Sequence, residues 1–155
     1  MADPPPFASR PVCRIRATLG EIQDIGHVPG GHRRVVPIAG GTVVGPLLNG
    51  EIVPGGADWQ ILAPDGSAAI EARYTVRAHD GALILVHSRG VRNGDPAVLA
   101  RLLRGETPDP AEYYFRTVVT LECSAPEHAW VNGRLFIAVA AREPAAVVID
   151  LYEVL

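Results

Sequence analysis

The stretch DWQILAPDGSAAIEARYTVRAHDGALILVHSRGV, residues 58–91, decides the fold. It contains three extended runs, Asp58 to Ala63, Ala68 to Ala78 and Ala82 to Val91, in which apolar and polar residues largely alternate. The turn sequences Pro64-Asp65-Gly66-Ser67 and Asp80-Gly81 separate these runs, and an Asp-Gly pair tolerates the positive φ that a tight hairpin turn requires. The stretch therefore predicts three antiparallel strands joined by short turns.

Comparable runs, rich in β-branched and aromatic residues, lie on both sides of this stretch. They predict strands at Val12 to Ala17, Arg33 to Ile38, Thr42 to Leu48, Tyr113 to Cys123, Trp130 to Ala140 and Val147 to Val154. One short helix is predicted between them, because Asp95 can cap a helix, Pro96 suits its first position and Gly105 ends it.

Eight to ten strands and one helix indicate an all-β protein. Antiparallel strands with short connections must hide their edges, and closure of the sheet achieves this in a chain of 155 residues. We therefore predict a closed or nearly closed antiparallel β-barrel, lipocalin-like in outline, with a sandwich of two sheets as the alternative. Residues 1–11 are predicted to be a disordered tail, and residues 12–155 a single domain.

Charge and composition exclude several functions. The formal net charge is −3, which gives no basic surplus for binding a nucleic acid. All 14 basic residues are arginine, so the lysine that Schiff-base chemistry and phosphate-binding loops use is absent. No apolar run is long enough for a membrane helix. A nucleic acid and a membrane are therefore not expected as partners; the expected partner is a small organic metabolite bound inside the barrel.

Neither the cysteines nor the histidines show the spacing of a metal site. Cys13 and Cys123 are interpreted as buried reduced thiols of a cytoplasmic protein, with a disulfide or a nucleophilic cysteine as alternatives. The five histidines lack paired spacing, and no dinucleotide-binding or serine-hydrolase motif is present. We predict no metal and no cofactor.

Alternation sorts the strand residues into two faces. From 69 to 78, one face carries apolar residues such as Ile70 and Tyr74, and the other carries Glu71, Arg73 and Arg77. From 114 to 123, Arg116 shares a face with Tyr114, Val118, Thr120 and Glu122. The charged faces either lie in water, or they place Arg73 and Arg116 inside a barrel that holds a ligand.

A second candidate is the pair Asp58-Trp59, which follows Pro54-Gly55-Gly56. Paired glycines allow a backbone to approach a ligand closely. Asp58 is suited either to capping a turn or to acid–base chemistry. Tryptophans commonly line ligand pockets as well as cores, so Trp59 and Trp130 are candidate pocket walls.

Several of these motifs, in this order, resemble the domain-of-unknown-function family 3237, also called uncharacterised protein family 0311. The resemblance covers nearly all of the chain beyond the N-terminal tail, with Val131 a mild departure because Leu is expected before Asn132. The matching stretches are Gly40-Gly41-Thr42-Val43-Val44-Gly45-Pro46, Gly50, Pro54-Gly55-Gly56-Ala57-Asp58-Trp59, Ala72-Arg73-Tyr74, Asp80-Gly81-Ala82, Gly90-Val91-Arg92, Tyr114-Phe115-Arg116-Thr117 and Trp130-Val131-Asn132.

The resemblance implies an antiparallel β-barrel that often self-associates, and it implies little about activity. It favours Asp58, Arg73 and Arg116 as pocket residues, because all three lie inside the matching stretches. Self-association as a dimer is accordingly expected, and sedimentation would measure it.

These observations lead to one predicted function and two alternatives. The prediction is a cofactor-independent lyase, isomerase or cyclase for a small organic acid or ketone. The alternatives are a lipocalin-like carrier or sensor, and a structural barrel without a cavity. In the predicted enzyme, Asp58 moves a proton, Arg73 and Arg116 stabilise a carboxylate or enolate, Tyr114 donates a hydrogen bond, and Trp59, Glu71, Tyr74, Trp130 and Asn132 contact the substrate.

Overall fold

The computed structural model describes residues 1–155 and contains nine strands and one α-helix. The strands are β1 (Ser9–Leu19), β2 (Gln23–Val28), β3 (Gly31–Val44), β4 (Gly50–Leu62), β5 (Ala68–Ala78), β6 (Leu83–Gly94), β7 (Tyr113–Glu122), β8 (Phe136–Arg142) and β9 (Ala146–Val154). The helix α1 (Pro96–Leu103) follows β6, and two segments of 3-10 helix lie at Pro110–Glu112 and Pro126–Gly133.

Eight of the strands form a closed barrel. Strands β3 to β9 each pair antiparallel with the next along the chain. Strand β9 then pairs with β1, and β1 pairs with β3, which completes the ring. The predicted antiparallel β-barrel is confirmed. Strand β2 is an additional strand that pairs with β3 alone.

The segment predicted as a strand from Trp130 to Ala140 is partly wrong, because β8 begins only at Phe136. Residues 126–133 form a 3-10 helix instead, with Pro126 in its first turn. The side chain of Asn132 accepts a hydrogen bond from the backbone N–H of Cys123 at 2.9 Å and donates one to its carbonyl oxygen at 2.8 Å. These two bonds hold the segment against the end of β7. At the N-terminus, β1 begins at Ser9, three residues before the predicted strand.

The interior of the barrel is divided into two ends. One end is filled by a cluster of 21 buried residues, including Phe136, Ile84 and Leu151, and the segment 126–133 closes it with Val131. A smaller cluster of eight buried residues lies at the other end, where Leu99 and Leu102 of α1 pack against strand residues such as Phe115. Apolar side chains therefore fill most of the interior, and polar side chains enter it at the end that holds the smaller cluster.

The wall is incomplete on one side of the end covered by α1. Strand β3 pairs with β1 from Ile38 to Val44 but with β2 from Gly31 to Val35. Strand β1 ends at Leu19, and β2 makes no pairing with β9. The sheet is thus open between β2 and β9 beyond Leu19. We call this opening the rim gap.

Close contacts between strands exclude a Cβ atom at several glycines, of which Gly90 is one. A Cβ added at Gly90 of β6 would lie 2.1 Å from the carbonyl oxygen of Arg116 and 2.6 Å from the Cα of Thr117. Because backbone atoms cannot move away without breaking the β6–β7 ladder, Gly90→Ala is expected to lower the free energy of unfolding by about 3 kcal/mol, as severe overpacking does. Urea unfolding measures this change.

The matched control for this variant is Gly133→Ala, since an added Cβ at Gly133 would meet nothing within 4 Å. This control is expected to change stability by no more than about 0.5 kcal/mol. Equal stability of the two variants would contradict the close approach of β6 and β7.

Candidate ligand site inside the barrel

Three arginines point into the barrel at the end that holds the smaller cluster. Arg92 lies on the inward face of β6, in line with Ile84 and Val86, and it is 2% exposed. Arg34 of β3 and Arg142 of β8 are half-buried, and each continues the inward face of its strand. Together with Asp58 and Gln60 of β4 they form what we call the arginine layer.

Hydrogen bonds connect the polar members of this layer. Nη2 of Arg34 donates to Oε1 of Gln60 at 2.8 Å, and Nε2 of Gln60 donates to Oδ2 of Asp58 at 2.7 Å. The other carboxylate oxygen of Asp58 accepts the backbone N–H of Glu71 at 3.0 Å. Gln60 therefore fixes the orientation of Asp58 and joins it to one arginine.

The arginines have few partners of their own. The Nε atoms of Arg34 and Arg92 are buried without a hydrogen-bond partner. The guanidinium of Arg92 lies over the ring of Phe115, with its central carbon 5.8 Å from the ring centroid. Unpartnered buried donors are rare in folded proteins, and each one calls for an explanation such as a catalytic or binding role.

Burial shifts the pKa of the charged groups in this layer. It lowers the pKa of Arg92 to about 10, and the neighbouring charges of Arg34 and Arg142 act in the same direction. Burial also raises the pKa of Asp58, although its hydrogen bonds to Gln60 and Glu71 oppose this effect. A carboxylate with a raised pKa is better matched to accepting a proton near neutral pH.

A cavity of about 50 Å³ lies beside the arginine layer. Such a volume has room for about four water molecules, at 10–15 Å³ for each. A buried hydrogen bond from Ser88 to Thr117, 2.7 Å long, forms part of its wall. The cavity is lined by Ala17, Leu19, Val36, Ile38, Asp58, Gln60, Ile70, Ala72, Tyr74, Ser88, Arg92, Phe115, Thr117, Ala140, Arg142, Val147 and Ile149.

Some lining residues reach solvent. Leu19, Val147 and Ile149 point inward at the start of β9 and the end of β1, yet they are only half-buried. They lie beside the rim gap, so this side of the cavity is the one nearest to solvent. Arg142 is also half-buried and lies at the same end of the barrel.

The structure places two of the predicted site residues inside the barrel. Asp58 is 9% exposed, and Tyr74 is 5% exposed. Both side chains line the cavity. Burial strongly raises the pKa of Tyr74, so its phenol keeps its proton at neutral pH. The catalytic role of Asp58 and the binding role of Tyr74 stay predictions.

The prediction that Arg73 and Arg116 point into the barrel is wrong. The side chain of Arg73 is 60% exposed, and its inward neighbour on β5 is Tyr74. Arg116 lies on the outer face of β7, where it donates to the carbonyl oxygen of Phe115 and stacks 5.0 Å from the ring centroid of Tyr114. On both strands the apolar face fills the barrel, so the arginines between the apolar residues face outward.

The remaining predicted contacts also lie outside the cavity. Trp59 and Tyr114 are exposed on the outer face of the sheet, at 39% and 53%. Trp130 packs against Phe136 near the apolar end, 6.0 Å between ring centroids. Asn132 holds the segment 126–133 through its hydrogen bonds to Cys123. Neither Trp130 nor Asn132 lines the cavity beside the arginine layer.

Glu71 belongs to a wider groove, of about 1110 Å³, on the outer face of β4 to β7. Its carboxylate is hydrogen-bonded to Nε2 of His87 at 2.7 Å and lies 3.0 Å from Nε of Arg89. The hydrogen bond from His87 lowers the pKa of Glu71, with Arg89 acting in the same direction. The carboxylate of Glu71 is therefore already paired with cations in a groove that is open to water, in contrast to the arginine layer.

Sequence reasoning missed Arg34, Arg92 and Arg142. The signal was available in the alternation, because Arg92 has the same parity as Ile84 and Val86 on its strand. Arg142 likewise follows Phe136, Ala138 and Ala140 on one face of β8. When the next residue on the apolar face of a strand is an arginine, the pattern predicts that this arginine points into the barrel.

The structure does not support a metal site or a reactive cysteine. No group of three or more His, Cys, Asp or Glu side chains is placed to hold a metal ion. Cys13 and Cys123 are buried and not bonded to each other, and burial raises the pKa of Cys13 to about 12, which disfavours the nucleophilic thiolate. No helix has the length and apolar character needed to cross a membrane.

Fold and site together define a small closed β-barrel with an apolar half and a small cavity lined by charged side chains in the other half. The family model described as "Protein of unknown function (DUF3237)" matches residues 7–154. The UPF0311 protein RPA1785 from Rhodopseudomonas palustris is 38% identical over 151 residues, which are 97% of this chain and 99% of that protein. The chain belongs to this family, DUF3237 or UPF0311, as the sequence motifs predicted.

Solved structures show the same fold. The crystal structure of RPA1785 has a TM-score of 0.91 and 38% identity, covering 99% of this chain and 100% of the other. A protein from Acinetobacter baumannii described as β-barrel like has a TM-score of 0.88 and 36% identity, with both chains fully covered. An enzyme from Penicillium herquei shares the fold at a TM-score of 0.74 and 16% identity, covering 100% and 99% of the two chains.

Proposed function

We propose that the barrel binds a small organic acid in the arginine layer and moves a proton on it, as a cofactor-independent lyase or isomerase does. The observation that carries the proposal is the set of three inward-pointing arginines with only one carboxylate among them. Positive charge fixed in a hollow of low dielectric stabilises a carboxylate or a developing enolate. An apolar wall opposite a few converging polar groups is typical of metabolite sites.

Asp58 is the proposed proton acceptor. It lines the cavity, is held by Gln60 and the N–H of Glu71, and has a pKa raised by burial. Removal of a proton next to a carbonyl group leaves an enolate, whose charge the neighbouring Arg92 and Arg142 would stabilise. Gln60 acts as a positioning residue, because it touches Asp58 and Arg34 but need not touch the reacting atoms.

Proton exchange tests this proposal. Pyruvate is a small oxo acid with exchangeable methyl protons, and incubation with the protein in deuterated water is followed by ¹H NMR. We expect catalysed exchange that falls by at least about a hundredfold in Asp58→Asn, the usual contribution of a general base. Because only the ionised carboxylate accepts a proton, exchange should decrease as pH falls through a pKa above the ordinary value of Asp.

Asp65→Asn is the matched control, since Asp65 lies in the exposed turn between β4 and β5. Its exchange rate should equal that of the unmodified protein. Equal rates in the Asp58 and Asp65 variants would remove Asp58 from the mechanism.

The alternative function is a carrier or sensor of the same acid. The small cavity with fixed charges suits binding without reaction equally well. In that case pyruvate or a related acid would raise the melting temperature through binding to the folded state, and it would be recovered intact without proton exchange. If no acid raises the melting temperature, neither function holds.

A further inference from the structure

The arginine layer holds more positive charge than the protein neutralises. Arg34, Arg92 and Arg142 carry three positive charges, and each interacts electrostatically with the one carboxylate, Asp58. Two positive charges therefore remain unbalanced. Arg92 and Arg142 line the cavity, whereas Arg34 does not line it and is hydrogen-bonded to Gln60, which does.

No other acidic side chain makes up this difference. Asp24 is the further carboxylate that acts on Arg34, but its side chain is 61% exposed and bonded to His32. Glu71 places only its backbone N–H toward Asp58, and its carboxylate lies in the outer groove. An interior charge without a partner costs several kcal/mol, and a ligand of opposite charge would remove this cost.

We infer that the ligand of the barrel is a small dianion, an organic acid carrying two negative charges when it is bound in the arginine layer. This inference rests on the proposed function and narrows its substrate class. A dianion balances the two excess charges, whereas a neutral ketone balances none and a monoanion only one. The Nε atoms of Arg34 and Arg92 are buried without a hydrogen-bond partner, so each can donate a hydrogen bond to such a ligand.

The volume limits the size of this dianion. A cavity of about 50 Å³ suits a molecule with few heavy atoms, such as a short dicarboxylate or a short oxo acid. Ring compounds and long chains would have to displace the apolar wall formed by residues such as Val36, Ile38 and Phe115. The same wall leaves no polar partner for an extended hydrophilic ligand.

Two chemical sources provide such a dianion. One is a dicarboxylate. The other is the enolate of an oxo acid: the C–H bond breaks, its proton passes to the carboxylate of Asp58, and its electron pair forms the C=C bond while the carbonyl electrons move onto oxygen. With the carboxylate this product carries two charges, while Asp58 becomes neutral on taking the proton. The negative charge thus moves from Asp58 to the enolate oxygen, where Arg92 and Arg142 would stabilise it.

Isothermal titration with matched pairs of acids tests the inference. Oxalate is a planar dianion with its oxygens on adjacent carbons, as in such an enolate, and oxamate has the same shape with one charge. Malonate and malonamate form the corresponding pair for a dicarboxylate with more widely spaced groups. We expect at least one dianion to bind tenfold or more tightly than its partner, a difference of about 1.4 kcal/mol. A stronger affinity for oxalate than for malonate supports the enolate, and the reverse order supports the dicarboxylate.

Arg142→Gln provides the second measurement, because Arg142 is half-buried at the open end and carries no ion pair. This variant should weaken the binding of the dianion more than the binding of the monoanion, and so reduce the ratio of their affinities. Equal binding within both pairs would overturn the dianion and leave the site of the proposed function intact. Absence of binding by all four acids would overturn the proposed function as well.

Discussion

Arg92→Met is expected to make the ligand-free protein more stable while it abolishes binding of the acid. Burial lowers the pKa of Arg92 to about 10, and a depression of this size corresponds to about 3 kcal/mol against folding. Because the folded pKa lies below that of the unfolded chain, this cost is present in full at pH 7 and decreases only above about pH 10. Methionine fills a similar volume without the charge.

The contact with Phe115 reduces the gain. A guanidinium over an aromatic ring contributes about 1 kcal/mol, and methionine loses this interaction. We therefore expect the free energy of unfolding to rise by about 1–2 kcal/mol and the melting temperature by about 3–6 °C. Circular dichroism and urea unfolding measure the stability, and titration with oxalate measures the loss of binding.

Arg77→Met is the matched control for this prediction. Arg77 lies on the outer face of β5, where it is 48% exposed and pairs with Glu51 at 3.1 Å. The same chemical change there should alter stability by no more than about 0.5 kcal/mol and leave binding unaffected. A lower melting temperature for Arg92→Met than for Arg77→Met would show that the interior already satisfies this charge.

Glu153→Gln is expected to destabilise the opposite end of the barrel. Glu153 of β9 is 1% exposed, accepts a hydrogen bond from Nε of Arg10 in β1 and lies 3.4 Å from Nε of Arg134. Glutamine keeps the size of the side chain but brings an amide N–H group toward two cations. Breaking a buried ion pair costs about 3–5 kcal/mol.

The loss of stability in Glu153→Gln should be smaller than for a fully buried ion pair, because both arginines are about half-exposed and can be solvated by water. We expect a loss of about 2 kcal/mol and a fall in melting temperature of about 4–8 °C. The control on the same strand is Asp150→Asn, where Asp150 pairs with the exposed Arg14 at 2.7 Å and 2.8 Å. That surface pair contributes at most about 1 kcal/mol, so similar losses in both variants would contradict the special role of Glu153.

The barrel itself could be predicted from the sequence because its signals are local. Alternation between Ala68 and Ala78, the turn at Asp80-Gly81 and the cap at Asp95 each act over a few residues. The 3-10 segment around Asn132 could not be predicted in this way. It depends on two hydrogen bonds to Cys123, nine residues earlier in the chain and just past the end of β7.

The candidate site was only partly predictable, because alternation divides a strand into two faces without stating which one lies inside. On β5 the apolar face settles the question in favour of Tyr74, and membership of Arg73 in a family motif pointed to the wrong face. On β6 the inward face ends in Arg92, where an apolar residue would be expected from burial alone. Only the closed ring shows that Arg34, Arg92 and Arg142 meet at one level.

The division of the interior has a consequence for how such proteins diversify. One half of the barrel is solid, holding Phe136, Ile84 and Leu151, and it specifies shape without taking part in recognition. Substitutions in the opposite half can therefore change the charge and shape of the cavity, while the rest of the chain continues to fold as before.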